Sequence, residues 1–127
     1  AALQYFYNKG EKRTKVIGGT SAGMMILGNI VYAPVDLGVT SAEALANPYH
    51  PNLTNIKYNT LVQTPLFANV IFDTHFDNRS RGGRLLVFLA KTAFEKNIRA
   101  KAIACNRLTT GINIKAFIWT IATRPLL

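Results

Sequence analysis

The chain is poor in the residues that staple a fold or hold a metal: 127 residues carry one cysteine and two histidines, and only six acidic residues stand against fifteen Lys and Arg. A lone cysteine excludes an internal disulfide, and Cys105, in "KAIACN", has no spaced Cys or His partners with which to hold zinc. It reads as a small buried strand residue. No metal and no cofactor are expected. No apolar run reaches the roughly 18 residues that a membrane-crossing helix needs, because Gly28, Asn29 and Pro34 interrupt "AGMMILGNIVYAPV". The chain is therefore expected to be soluble and cytoplasmic, with no membrane partner. It lacks a first Met, and no basic stretch leads into an apolar core and a cleavage site. "AALQYFY" reads as a helix already under way, so the chain is expected to be part of something longer.

The shortage of acid leaves a net charge of +9. Clustered Lys and Arg would attract polyanions, but here the charges are scattered. Lys9, Lys12, Arg13 and Lys15 precede an apolar stretch, and Lys91, Lys96, Arg99 and Lys101 surround a later helix end. No nucleic-acid motif accompanies them, so no specific nucleic-acid partner is expected. An apolar fraction of 49% is ordinary for one domain with a core.

What is present has an alternating order. "AALQYFYNKG" ends a helix at Gly10. "TKVIGG" predicts a buried strand, "SAGMMILGN" a short helix with Ser21 at its start, "ANVIFDTHF" a strand, "NRSRGGRLLVFLAKTAFEKN" a helix and "RAKAIACN" a strand. Residues 30 to 65 read as loop, punctuated by Pro and Gly, with one helical turn at "TSAEALAN" capped by Thr or Ser. "RLTTGINIKAFIWTIATRPLL" is apolar and β-branched but has no clear turn between Gly111 and Pro125. Strands alternating with helices predict an α/β domain with a mainly parallel sheet and flanking helices.

Within that order "GTSAG", Gly19 to Gly23, fits the G-x-S-x-G pattern after a predicted strand and before a predicted helix. Glycines let the backbone bend sharply, and Ser21 there reads either as a plain helix cap or as a hydroxyl presented for attack, with the helix start directing N–H groups at a developing anion. A nucleophilic serine needs a base. Of the two histidines, His50 lies between prolines in "NPYHPN", whereas His75, in "FDTHF", ends a strand on the edge where Ser21 is expected. An orienting acid must come from Glu11, Asp36, Glu43, Asp73, Asp77 or Glu95. Glu11 and Glu95 read as solvated, Asp73 shares a strand face with His75, and Asp36 and Glu43 give the chain order Ser, acid, His. Directly after the base, Arg79, Arg81 and Arg84 are spaced too irregularly for a helix stripe. They are expected to converge on carboxylates through forked hydrogen bonds.

"GGTSAGMM" with "DTHFDNRSRGGRLL" resembles the serine peptidase family that contains cyanophycinase and aspartyl dipeptidase E, whose fold is that of the class I glutamine amidotransferases. With "SAEALANPY" the resemblance covers about residues 15–105, within a single partial domain over 1–127 that is incomplete at its N-terminus and atypical from 106 to 127. It implies a Ser-His-acid hydrolase of β-aspartyl (isoaspartyl) peptide bonds such as aspartyl-arginine. Ser21 would be the nucleophile, His75 the base, the Ala22 N–H an oxyanion donor, and Arg79, Arg81 and Arg84 the grip on substrate carboxylates. The expected acid is Glu43, which matches the cyanophycinase-like segment, with Asp36, at the shorter spacing of the dipeptidase branch, as the alternative. The resemblance departs at three points. Thr74 stands where cyanophycinase has Gln, the family domain is about twice as long, and the chain after "AIAC" does not follow the family. An α-aspartyl dipeptidase and a catalytically silent domain that binds acidic peptides are the alternatives. An open sheet edge makes a homodimer an option.

Overall fold

The computed structural model describes residues 17–59, 63, 67–106 and 117–121, the last by their backbone. The elements run α1 (Ala22–Met25), β1 (Ile30–Tyr32), α2 (Ser41–Ala46), a 3-10 turn (Pro51–Asn55), β2 (Ile56–Tyr58), β3 (Val70–Thr74), α3 (Gly82–Lys96), β4 (Ala100–Cys105) and β5 (Phe117–Ile121). The strands form one five-stranded sheet in the order β2-β1-β3-β4-β5. The inner strands β1, β3 and β4 run parallel, and β2 and β5 flank them antiparallel. The protein is thus an α/β domain with a mixed, mostly parallel sheet.

Each element has a local cause. In α3, Leu85, Phe88, Leu89 and Thr92 recur at helical spacing, and all four are buried. This face lies over the sheet, where Ala100, Ala102 and Ala104 of β4 are buried and short enough to let a helix approach closely. Ile30, Tyr32, Ile71, Leu53 and Val39 complete the core. The Tyr32 and Phe88 rings lie 4.5 Å apart, and the Tyr32 hydroxyl accepts the Val39 N–H at 2.8 Å. A parallel strand covered on both faces should be apolar throughout. All five residues of β3 are indeed buried, although the last two, Asp73 and Thr74, are polar.

The structure corrects the reading of the middle of the chain. Residues 30 to 59, expected to be loop with one helical turn, also contribute β1 and β2. Three-residue strands carry too little periodicity to be read from sequence. The helical turn itself is present as α2, with Thr40 as its cap. At the expected strand "TKVIGG", Ile17 to Gly19 are not in a strand, and residues 14–16 lie outside the described residues, as does the expected helix before Gly10. The terminal segment supplies β5, which pairs with β4 in register Ala102↔Trp119. Among the described residues no helix is long and apolar enough to cross a membrane.

Candidate active site

The site lies where β3 ends. In an open parallel sheet, crevices form beyond the carboxyl ends of strands from which the chain leaves in opposite directions. Here β3 lies between β1 and β4. The turn after β3 begins at His75, whose φ of 52° is in the left-handed region that few side chains adopt. That turn is tied down by its neighbours. Phe76 N–H donates to the Cys105 carbonyl at 3.3 Å, Asp77 N–H donates to Asn106 Oδ1 at 2.9 Å, and the Asn106 amide donates back to the Asp77 carboxylate.

Ser21 meets this turn from the other side. Its backbone is at φ 49°, ψ −121°, and it stands at the N-cap of α1 without using its side chain as a cap. Few non-glycine residues tolerate that conformation, which costs of order 1–3 kcal/mol and clusters at functional sites. The hydroxyl is therefore free for another partner, and Ser21 Oγ lies 3.0 Å from His75 Nε2. Gly19 makes the bend sterically feasible, because a Cβ there would fall 2.3 Å from the Gly23 carbonyl carbon and oxygen. The Ala22 N–H has no acceptor among the described residues, whereas Gly23 N–H is taken by the Thr20 carbonyl at 2.8 Å.

Beside the dyad is a second, buried centre. Asp73 is fully buried, and Arg84 grips it with two parallel bonds: Nε to Oδ2 at 2.8 Å and Nη2 to Oδ1 at 2.6 Å. Arg81 Nη1 adds a longer contact to Oδ1 at 3.2 Å and donates to the Thr74 carbonyl at 2.7 Å. Burial, with the neighbouring Arg84 charge, pushes the Arg81 pKa down, and Asp73 opposes the shift. Arg84 also faces the Tyr32 and Phe88 rings at 5.6 and 5.7 Å. Sequence reasoning considered Asp73 as a neighbour of the imidazole. It missed this pairing, although an Asp eight residues before one Arg and eleven before another was its visible trace.

Arg79, Arg81 and Arg84 do converge, lining one cleft of about 200 Å³ with Gly38, Val39, Thr40 and Ser41. Their exposure differs. Arg84 is 5% exposed, Arg81 is half-buried and Arg79 is exposed. The cleft is thus a cationic concavity with one arginine engaged internally, one shared and one facing solvent.

The remaining site residues are placed as follows. The Glu43 carboxylate accepts the Thr40 N–H and hydroxyl, both at 2.8 Å, closing a capping box at the start of α2. Those bonds hold its pKa below the usual carboxylate range, with a smaller contribution from His50. The structure does not bring Glu43 into hydrogen-bond contact with His75, and Asp36 is exposed. His50 caps the 3-10 turn, its Nδ1 accepting the Asn52 N–H at 3.2 Å. Thr74 Oγ1 is buried without a partner among the described residues. Burial raises the Cys105 pKa, the opposite of what a reactive thiolate needs. Among the described residues no group of His, Cys, Asp and Glu is arranged to hold a metal ion.

Fold and geometry together define the class: an α/β protein that holds a serine–histidine pair beside an arginine-lined cleft. Comparison with family models, curated proteins and solved structures gave no match for the chain.

Proposed function

We propose that the chain carries the catalytic portion of a cyanophycinase-like serine peptidase, with a class I glutamine amidotransferase-like fold, that cleaves β-aspartyl peptide bonds. The observation that carries this reading is the 3.0 Å contact between Ser21 Oγ and His75 Nε2, made by a serine on a sharply bent backbone. Nε2 takes the hydroxyl proton as Oγ attacks the amide carbonyl carbon. The carbonyl oxygen becomes an oxyanion within reach of the Ala22 N–H. His75 then returns the proton to the leaving amine as the C–N bond breaks, and water, activated by the same imidazole, hydrolyses the acyl-enzyme.

The arginine cleft supports an acidic substrate. Arg79 and the unshared donors of Arg81 offer planar forks suited to a carboxylate. Glu43 is retained as the family's expected acid, to be tested against its role as a helix cap.

The test is release of arginine from β-aspartyl-arginine compared with hydrolysis of α-aspartyl dipeptides, with Ser21→Ala as control. Serine-dependent cleavage of the β-linked substrate is the expected result. Serine-dependent cleavage of only the α-linked substrates assigns an α-aspartyl dipeptidase instead. Binding of acidic peptides without any turnover assigns the silent binding domain.

A further inference from the structure

The wall of the arginine cleft opposite the arginines belongs to the start of α2, and a single hydroxyl fastens it in place. Ser41 Oγ donates to the Ser80 carbonyl and accepts the Arg84 N–H at 3.1 Å. Ser80 stands between Arg79 and Arg81 at a φ of 47°, so the bonded carbonyl belongs to the strained part of the arginine turn. Arg84 is the residue whose guanidinium is fixed to Asp73. One hydroxyl thus holds the backbone on both sides of Arg81.

The approach is close because Gly83 lacks a side chain. A Cβ at position 83 would lie 2.8 Å from Ser41 Cβ and 2.7 Å from Leu45 Cδ1. Ser41 also lines the cleft, between Thr40 and the arginines. The capping box already satisfies the start of α2 through Thr40 and Glu43, so the Ser41 hydroxyl is not needed as a cap.

We propose that Ser41 is a positioning residue for substrate capture: it fixes the turn that carries Arg79 and Arg81 against the Val39–Ser41 wall, so the cleft is formed before an acidic ligand arrives. This rests on the acidic-ligand reading of the cleft. Preorganised donors bind more tightly because their ordering cost is met during folding. The hydrogen bonds of Ser41 go to Ser80 and Arg84, not to Ser21 or His75, so its role separates capture from the chemistry of the dyad.

The experiment measures the affinity of the full 127-residue chain for N-acetyl-aspartate by calorimetry. Alongside it, the rate at which an uncharged fluorophosphonate labels Ser21 reports on the dyad. Ser41→Ala is expected to weaken binding about fivefold, the scale of one lost hydrogen bond, with labelling unchanged within about twofold. Ser41→Thr, which keeps the hydroxyl, is expected to restore affinity. Gly83→Ala, which keeps the Ser41 hydroxyl but pushes Ser41 and Leu45 away from the start of α3, is expected to weaken binding as well. A purely structural role would lower thermal stability and labelling together while the folded protein kept its affinity. Unchanged affinity in folded Ser41→Ala overturns the inference. If the unaltered chain binds no N-acetyl-aspartate, the acidic-ligand reading falls first and takes this one with it.

Discussion

Two centres close to one another at the end of β3 are built on opposite principles. The Asp73–Arg84 pair is buried and doubly hydrogen-bonded; the Ser21–His75 pair is more accessible, joined by one bond and held on backbone at positive φ at both residues. The first has low-energy local geometry and costly ingredients, since both charges must leave water. The second has ordinary ingredients in costly geometry. The buried ion pair therefore sits directly beside the strained pair: Arg81 and Arg84 bond Asp73 and the Thr74 carbonyl, and His75 begins the turn that follows.

That contrast can be broken most sharply at Ser21. Ser21→Ala is expected to reduce hydrolysis of an aspartyl-arginine substrate by about a thousandfold or more, while thermal unfolding changes by no more than about 1 kcal/mol. Retained turnover would remove Ser21 from the chemistry. Asp73→Ala is the mirror experiment. It leaves a buried guanidinium unpaired and is expected to cost about 3–5 kcal/mol in urea unfolding, and a stable Asp73→Ala protein would show that Arg84 has another way to be satisfied. Gly19→Ala tests whether the bend itself matters. Displacing the serine by about 1 Å is expected to slow fluorophosphonate labelling about a hundredfold, and unchanged labelling would show that the bend can yield.

The smallest effect sharpens the comparison from outside both centres. The Glu43 carboxyl has a folded-state pKa below its ordinary value, so its contribution is fully present above the usual carboxylate range and is lost as pH falls through the folded value. Thermal melts from pH 7 down to pH 3 should show this acid-side loss in the unaltered chain and not in Glu43→Gln. The same variant should keep its labelling rate if Glu43 acts as a cap. Abolished labelling would instead make it the orienting acid.

Chemistry and pattern coincide in the most legible parts of the chain. The G-x-S-x-G bend, β3, α3 and β4 each combine a periodic apolar run with a punctuating glycine or asparagine. Ser21 and His75 were paired because both were expected at one edge of a parallel sheet. Strands β1 and β2 escaped because three residues make little more than one alternation. The commitment of Arg84 to Asp73 escaped for another reason: an ion pair across a strand-to-helix turn depends on how α3 sits on the sheet, which spacing along the chain does not encode. In sequence Glu43 reads as a candidate acid and "TSAEALAN" as a helical turn capped by Thr or Ser; that the Glu43 carboxylate closes the cap with Thr40 depends on local hydrogen bonding that the structure adds.

The positive φ of Ser21 and His75 also says what a search for robustness would do to this protein. At those two positions glycine relieves the backbone that serine and histidine must endure. A library varied at both residues and selected only for heat resistance should drift toward glycine, and every winner would have discarded the pair. Selection for function and selection for durability pull these two codons in opposite directions.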